Sequence, residues 1–235
     1  MVDSFAIRAR LQGVRDRIAR AAERAGRDAS SIRLVAVSKT FAADHIRVAA
    51  DAGQVDFGEN KVQEALPKIA DLGGKGLRWH LIGHLQSNKA RKAAAAFDVI
   101  QSVDDPRLVA MLNEGALSAG RRLRVLVQVD LAGEPTKHGT PPKDVEAVIA
   151  AARECPAVEV RGLMLLPPFV EDPDGARPYF AALRRLRDDL MARGVDPGAL
   201  AELSMGMSHD FEVAVEEGAT MVRIGTAIFG ERTNV

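Results

Sequence analysis

Hydrophobic and polar positions along this chain follow two alternating patterns. Short apolar runs, typical of buried strands, are each followed by a segment whose apolar residues recur at helical spacing. These runs predict eight strands, over residues 33–38, 55–58, 77–83, 98–103, 123–129, 158–166, 201–204 and 220–224. Helices are predicted over about 42–53, 60–72, 87–96, 142–154, 174–193 and 209–217. Pro106 is suited to the first turn of another helix, and Ser87 is expected to cap one.

The number and order of these elements predict the fold class. Eight strands that alternate with helical segments are typical of a closed parallel (β/α)8 barrel, the TIM barrel. An extra helix precedes the first strand, because apolar residues recur there at mostly helical intervals, at Phe5, Ile7, Leu11, Val14 and Ile18. The length suits one such barrel, so residues 1–235 are interpreted as a single domain. An open doubly wound sheet is the alternative, although it would usually contain fewer strands.

Composition and charge limit the function classes. The 32 basic residues balance 32 acidic ones, so neither nucleic acid nor an anionic membrane is an expected partner. A single cysteine, Cys155, cannot form an internal disulfide, which fits a reducing compartment. Asp3, Asp16 and Glu23 interrupt the arginine-rich N-terminus, whereas transit peptides contain few acidic residues. We therefore expect a cytoplasmic protein.

In a barrel, the loops that follow the strands carry the chemistry, and phosphate sites commonly follow strands seven and eight. Both of those loops combine a glycine with hydroxyl groups just before a helix, which suits anion binding by backbone N–H groups. Either loop alone could be only a capped turn, but their joint placement favours a phosphate site. The residues concerned are Ser204, Met205, Gly206, Ser208, Gly225 and Thr226.

Two cationic side chains are predicted to lie beside these loops. Lys39 follows Val35 and Val37 with barrel-facing alternation, and Arg223 has the inward parity on strand eight. Strands eight and one are neighbours in a closed barrel, so both side chains should project into one cavity. A lysine in an apolar barrel mouth is a candidate imine former, because desolvation favours the neutral amine. Lysine, arginine and phosphate loops together suit pyridoxal 5′-phosphate (PLP) as a Schiff base on Lys39.

Six motifs carry a resemblance to the pyridoxal phosphate homeostasis protein family. They lie at residues 35–40 (VAVSKT), 57–60 (FGEN), 79–89 (WHLIGHLQSNK), 162–164 (GLM), 203–208 (LSMGMS) and 222–230 (VRIGTAIFG). The resemblance covers nearly the whole chain in order. It implies the barrel of fold-type III PLP enzymes, related to the N-terminal domain of alanine racemase.

The resemblance also implies individual site residues. The cofactor lysine falls on Lys39 and the arginine at the ring nitrogen on Arg223, while the phosphate motifs fall on the six loop residues already named. Asn60, His80 and Met164 match motifs that line the pocket. The family implies intracellular PLP homeostasis, with PLP-dependent apo-enzymes as possible recipients of the cofactor.

Efficient turnover is not expected. A two-base racemase needs a second acid or base, which alanine racemase-like enzymes draw as a tyrosine from an additional C-terminal domain. The sequence ends soon after the eighth helix, and its single tyrosine, Tyr179, lies within a predicted helix. Arginine at the ring nitrogen also favours an unprotonated pyridine, which is a poorer electron sink. A PLP-dependent racemase or lyase is the alternative, and without a dimerising domain a monomer is expected.

Two further hypotheses are weaker. His80 and His84 lie four positions apart on a predicted strand, which separates them by roughly 13 Å, too far for one metal ion. No metal site is therefore expected. Cofactor-free aldolases of this fold commonly carry an imine lysine on strand six. Strand six here ends in Met164, Leu165 and Leu166 and contains no lysine, which counts against an aldolase.

Overall fold

The barrel predicted from the sequence is present. The computed structural model describes residues 2–133 and 138–231, and in this part of the chain eight parallel strands pair in the order β1 to β8 and close on themselves. The strands are β1 (Arg33–Val37), β2 (Asp56–Glu59), β3 (Arg78–Leu81), β4 (Val99–Val103), β5 (Leu123–Val129), β6 (Val158–Leu165), β7 (Glu202–Ser204) and β8 (Met221–Ile224).

Helices surround the barrel, and several begin with a short 3-10 turn. They are α1 (Ser4–Arg24), α2 (Ala43–Asp51), α3 (Val62–Asp71), α4 (Ala90–Ala96), α5 (Pro106–Ser118), α6 (Val145–Arg153), α7 (Arg177–Ala192), α8 (Phe211–Glu216) and α9 (Thr226–Phe229). Pro106 occupies the first turn of α5, as predicted, and the Asp105 carboxylate accepts the Arg107 N–H. The prediction for Ser87 was wrong, because Ser87 lies inside a 3-10 turn that precedes α4.

The extra N-terminal helix α1 packs against α2, α8 and α9. Its apolar stripe is buried as the spacing predicts, through Ile7, Leu11, Val14 and Ile18. Phe5 is the exception in this stripe, because 82% of its surface is exposed. None of the described helices is both long and apolar enough to cross a membrane.

The register between β8 and β1 places the predicted cofactor residues at one end of the barrel. Val35 pairs with Arg223, and Ala36 pairs with Ile224, so the end of β1 lies beside the end of β8. Lys39 follows β1 by two residues and thus emerges at the same rim. This rim is the carboxyl end of the parallel strands, where barrel proteins carry their functional loops.

Candidate functional site

A cavity of about 530 Å³ opens at the carboxyl end of the barrel. This volume is within the range of small-molecule pockets. Six of the eleven residues predicted from the sequence line it, namely Lys39, Asn60, Ser208, Arg223, Gly225 and Thr226. The other lining residues are Val37, Phe41, Ile82, Gly83, His84, Gln128, His138, Leu166, Met207 and His209.

The remaining five predicted residues do not line this cavity. His80, Met164, Ser204 and Met205 are fully buried, and Gly206 is buried within the loop that follows β7. In the register, Ser204 is level with Met164 on β6 and with Met221 on β8. It therefore lies one inward-facing layer below Arg223. These five residues are therefore buried below or beside the cavity, and their part in cofactor binding stays a prediction.

A buried ionic cluster anchors the backbone next to Lys39. The Ser38 hydroxyl donates to Glu59 Oε1 over 2.6 Å. Lys68 Nζ donates to the same oxygen over 2.7 Å and to the Ser38 carbonyl over 3.0 Å. On the other side, Thr40 has a left-handed φ of 70°, which turns the chain sharply after Lys39. Lys39 is thus fixed at the base of a tight turn.

The loops after β7 and β8 meet at Ser208. Its hydroxyl oxygen lies 3.2 Å from the Gly225 N–H, 3.4 Å from the Ala227 N–H and 3.3 Å from the Thr226 hydroxyl. All three distances are long for hydrogen bonds, so these donors are only weakly satisfied within the chain. Two backbone N–H groups and two hydroxyls converging at one point form a donor set that suits a phosphate group.

Arg223 is buried at the floor of the cavity. One guanidinium nitrogen donates to Ser204 Oγ over 2.6 Å, and the other donates to the Leu165 carbonyl over 2.8 Å. Burial lowers the pKa of Arg223 to about 10, partly offset by the charge of Asp210. The guanidinium therefore remains charged at neutral pH, in an orientation set by two partners.

A chain of hydrogen bonds continues from Arg223 through the barrel. Ser204 Oγ donates to Gln101 Oε1 over 2.6 Å, and Gln101 Nε2 lies 3.0 Å from His80 Nδ1. His80 Nε2 lies 2.8 Å from Asp56 Oδ1. Because the Gln101 amide nitrogen can only donate, Nδ1 of a neutral His80 accepts, and Nε2 donates to Asp56. This chain is the buried relay, formed by Arg223, Ser204, Gln101, His80 and Asp56.

The buried relay predicts a pH dependence of stability. Burial lowers the pKa of His80, although the Asp56 carboxylate partly opposes this. As pH falls, His80 therefore takes up a proton in the unfolded chain at a higher pH than in the folded chain. The free energy of unfolding then decreases as pH falls below the pKa of the unfolded chain, about 6.5. We expect His80→Gln to remove up to about 1.4 kcal/mol per pH unit of this dependence. Urea unfolding between pH 5 and 8 measures it, and an unchanged slope in the variant would contradict it.

Gln101 connects the two halves of the buried relay, because its side-chain amide contacts both Ser204 and His80. Gln101→Leu would leave Ser204 Oγ and His80 Nδ1 without their amide partner in the barrel interior. We expect the free energy of unfolding to fall by about 2–4 kcal/mol, since each buried group left unsatisfied costs about 1–3 kcal/mol. Chemical denaturation measures the change. Gln12→Leu on the exposed face of α1 is the matched control, and an equal effect there would refute the role of the relay.

Asn60 reaches the cavity because two loops approach each other closely. The backbone of Gly83 lies so near the Asn60 carbonyl that a side chain at position 83 would collide with it. Glycine at this position therefore allows the loop after β3 to pack directly on the loop after β2. The prediction that Asn60 lines the pocket agrees with this geometry.

Three histidines line the cavity although none of them was predicted as a cofactor-site residue. His84 follows β3, His138 lies in the loop between β5 and α6, and His209 precedes α8. His209 Nε2 lies 3.0–3.1 Å from the carbonyls of Val170 and Glu171. Burial and the neighbouring His138 lower the pKa of His84. The signal available in the sequence was position alone, because each histidine lies on a loop that follows a strand.

Comparison with known proteins defines the class first. A sequence model of the alanine racemase N-terminal domain matches residues 10–233 of the chain. Alanine racemase from Corynebacterium glutamicum superposes on 99% of the chain, and on 63% of its own, with a TM-score of 0.73. At 20% identity this likeness concerns the fold alone. The protein is therefore an alanine racemase-like barrel.

Closer relatives define the family. The pyridoxal phosphate homeostasis protein of Aquifex aeolicus is 44% identical, with 95% of this chain and 97% of its own covered. PipY of Synechococcus elongatus, solved with PLP bound, is 40% identical and has a TM-score of 0.83. The match covers 95% of this chain and 100% of PipY. The chain belongs to the pyridoxal phosphate homeostasis protein family.

Proposed function

We propose that this protein holds PLP as a Schiff base on Lys39 and serves cofactor homeostasis in the cytoplasm without efficient turnover of its own. The proposal rests on one observation, which is that three features lie in the same cavity. These are a lysine at the rim, a buried arginine at the floor and the donor set around Ser208. PipY, which is solved with PLP bound, supports the choice of ligand.

Each feature matches one part of PLP. The donors of Ser208, Gly225, Thr226 and Ala227 would bind the phosphate, because they are poorly satisfied by one another. The Lys39 amine would condense with the aldehyde and release water. Arg223 would face the ring nitrogen and donate a hydrogen bond to it. The buried relay would keep the guanidinium in place for that contact.

The character of Arg223 supports a carrier rather than an efficient catalyst. Bound PLP acts as an electron sink for carbanions, and it does so best when its ring nitrogen is protonated. A carboxylate beside that nitrogen favours the protonated form. Arg223 remains charged and is held by Ser204 and Leu165, so it disfavours a second positive charge on the ring. Chemistry that depends on the sink would consequently be slow.

A transfer assay tests the homeostasis role. The protein is loaded with PLP, freed of unbound cofactor and mixed with a PLP-dependent apo-enzyme. We expect the apo-enzyme to regain activity, and we expect the donor to behave as a monomer in gel filtration. Failure of the loaded protein to restore any activity would refute the carrier role, even if PLP binding itself is intact.

The competing enzyme hypothesis makes a different prediction. A racemase or lyase would exchange the α-proton of an amino acid with deuterated solvent. His84, His138 and His209 line the cavity and are chemically able to act as bases, so this exchange must be measured directly. We expect exchange no faster than that catalysed by free PLP. Multiple turnovers on any amino acid would refute the non-catalytic role.

A further inference from the structure

Three consecutive strand ends bring ionisable side chains together at one corner of the barrel rim. His84 follows β3, Asp104 directly follows β4, and His138 lies in the loop after β5. Each offers one ligand atom, and these atoms all lie within 4.8 Å of one another. The imidazole rings of His84 and His138 are stacked, with centroids 3.5 Å apart and planes inclined by 9°.

The geometry points to a site for a borderline divalent cation such as Zn²⁺, held by His84, Asp104 and His138. Two imidazoles and one carboxylate are the ligand types and the ligand number that open zinc sites use, with a fourth position left for water or substrate. Both histidines also line the cavity that contains Lys39. A bound cation would therefore lie at the cavity edge and add a Lewis-acidic group to it.

Hydrogen bonds anchor the backbone at or next to both histidines, and Asp104 directly follows β4. The carbonyl of Gly83, next to His84, accepts the Ser102 hydroxyl of β4 over 2.7 Å. Gln128 of β5 donates to the His138 carbonyl over 2.5 Å, and Thr140 donates to the Gln128 carbonyl over 2.8 Å. The three ligands are thus attached to three adjacent strands of the rigid barrel.

Metal binding requires a local change of side-chain conformation. A metal ion lies in the plane of each imidazole that binds it, and two parallel stacked rings have no common plane. The rings must therefore rotate until nitrogens about 2.0–2.1 Å from the metal can converge. Both histidines are exposed, so packing does not oppose this rotation. The three ligand atoms already lie within 4.8 Å of one another.

This inference revises the expectation that the chain has no metal site. That expectation considered His80 and His84 as a pair. His80 is occupied by Asp56 and Gln101 in the barrel interior, whereas His84 meets a histidine from a loop more than fifty residues away. A pairing between loops of different strands is invisible to local spacing.

Calorimetric titration of Zn²⁺ into the full chain, without a histidine tag, tests the site. We expect one saturable equivalent. His84→Ala and His138→Ala should each weaken binding at least about tenfold, because loss of even an outer partner of a metal ligand costs about 10–100-fold. Asp104→Asn, which keeps the size but removes the charge, should also weaken it. His209→Ala is the matched control, since it removes a cavity histidine from outside the cluster.

Several outcomes would overturn the proposal. These are the absence of saturable binding, equal weakening in the His209→Ala control, or unchanged binding in Asp104→Asn, which would leave only a two-histidine surface contact. Thermal melting followed by circular dichroism shows whether each variant is folded. Because the titration uses no PLP, its result is independent of the cofactor proposal.

Discussion

Lys39→Ala is expected to abolish the covalent adduct with PLP, along with the yellow absorbance of the bound cofactor. The substitution removes the amine that condenses with the aldehyde, whereas the donors around Ser208 and the guanidinium of Arg223 remain. We therefore expect weak non-covalent binding to persist, with an affinity at least about tenfold lower, or about 1.4 kcal/mol. Absorbance titration and equilibrium dialysis measure the two quantities.

The control for this experiment is Lys92→Ala. Lys92 is an exposed lysine of α4 that does not line the cavity, and its removal makes the same chemical change. The control should bind PLP as the unchanged protein does. Normal yellow adduct in Lys39→Ala would show that another lysine carries the cofactor.

Gly206→Ala is expected to lower the free energy of unfolding by about 2–4 kcal/mol and to weaken PLP binding. Gly206 has a left-handed φ of 91°, and an added Cβ would lie 2.6 Å from Ala214 Cβ and 2.9 Å from Phe211 Cα. The Gly206 carbonyl also accepts the Arg223 N–H over 3.0 Å. A displaced loop would therefore disturb both Ser208 and Arg223. Denaturant unfolding and PLP titration measure these effects.

Gly194→Ala separates backbone strain from collision. Gly194 follows α7 with the same φ of 91°, but nothing lies within 4 Å of an added Cβ. It should cost only about 1 kcal/mol, the strain of a left-handed alanine. If both variants lost the same stability and Gly206→Ala bound PLP normally, close packing of the β7 loop would not matter for the site.

Most of the fold could be predicted from the sequence because the barrel repeats one simple pattern. Strand β5 was predicted with its observed bounds of Leu123–Val129, since its apolar residues are interrupted only by Arg124 and Gln128. The prediction of which residues are buried was less accurate at the exposed ends of helices. Phe5 has the spacing of the α1 stripe but lies in the first turn of the helix, where it remains outside the packed interface. Periodicity indicates a face, but it does not indicate where a neighbouring element ends.

The sequence predicted which side chains point into the barrel, but it did not predict how far below the rim each of them lies. Alternation along β1 and β8 correctly placed Lys39 and Arg223 in one cavity. Motifs, rather than alternation, suggested Ser204, His80 and Met164 as pocket residues, and these side chains are fully buried in the barrel. Depth depends on the stagger between neighbouring strands, which the sequence of one strand does not contain. The polar Gln101 inside an apolar strand was an available signal for the buried relay.

Reduction of the PLP-loaded protein with borohydride, followed by peptide mapping, tests the central claim most directly. Borohydride converts a Schiff base into a stable secondary amine, so the modified lysine remains labelled through proteolysis. The account predicts a single phosphopyridoxyl group on Lys39, in stoichiometric yield. A label on another lysine, or no label after incubation with PLP, would contradict it.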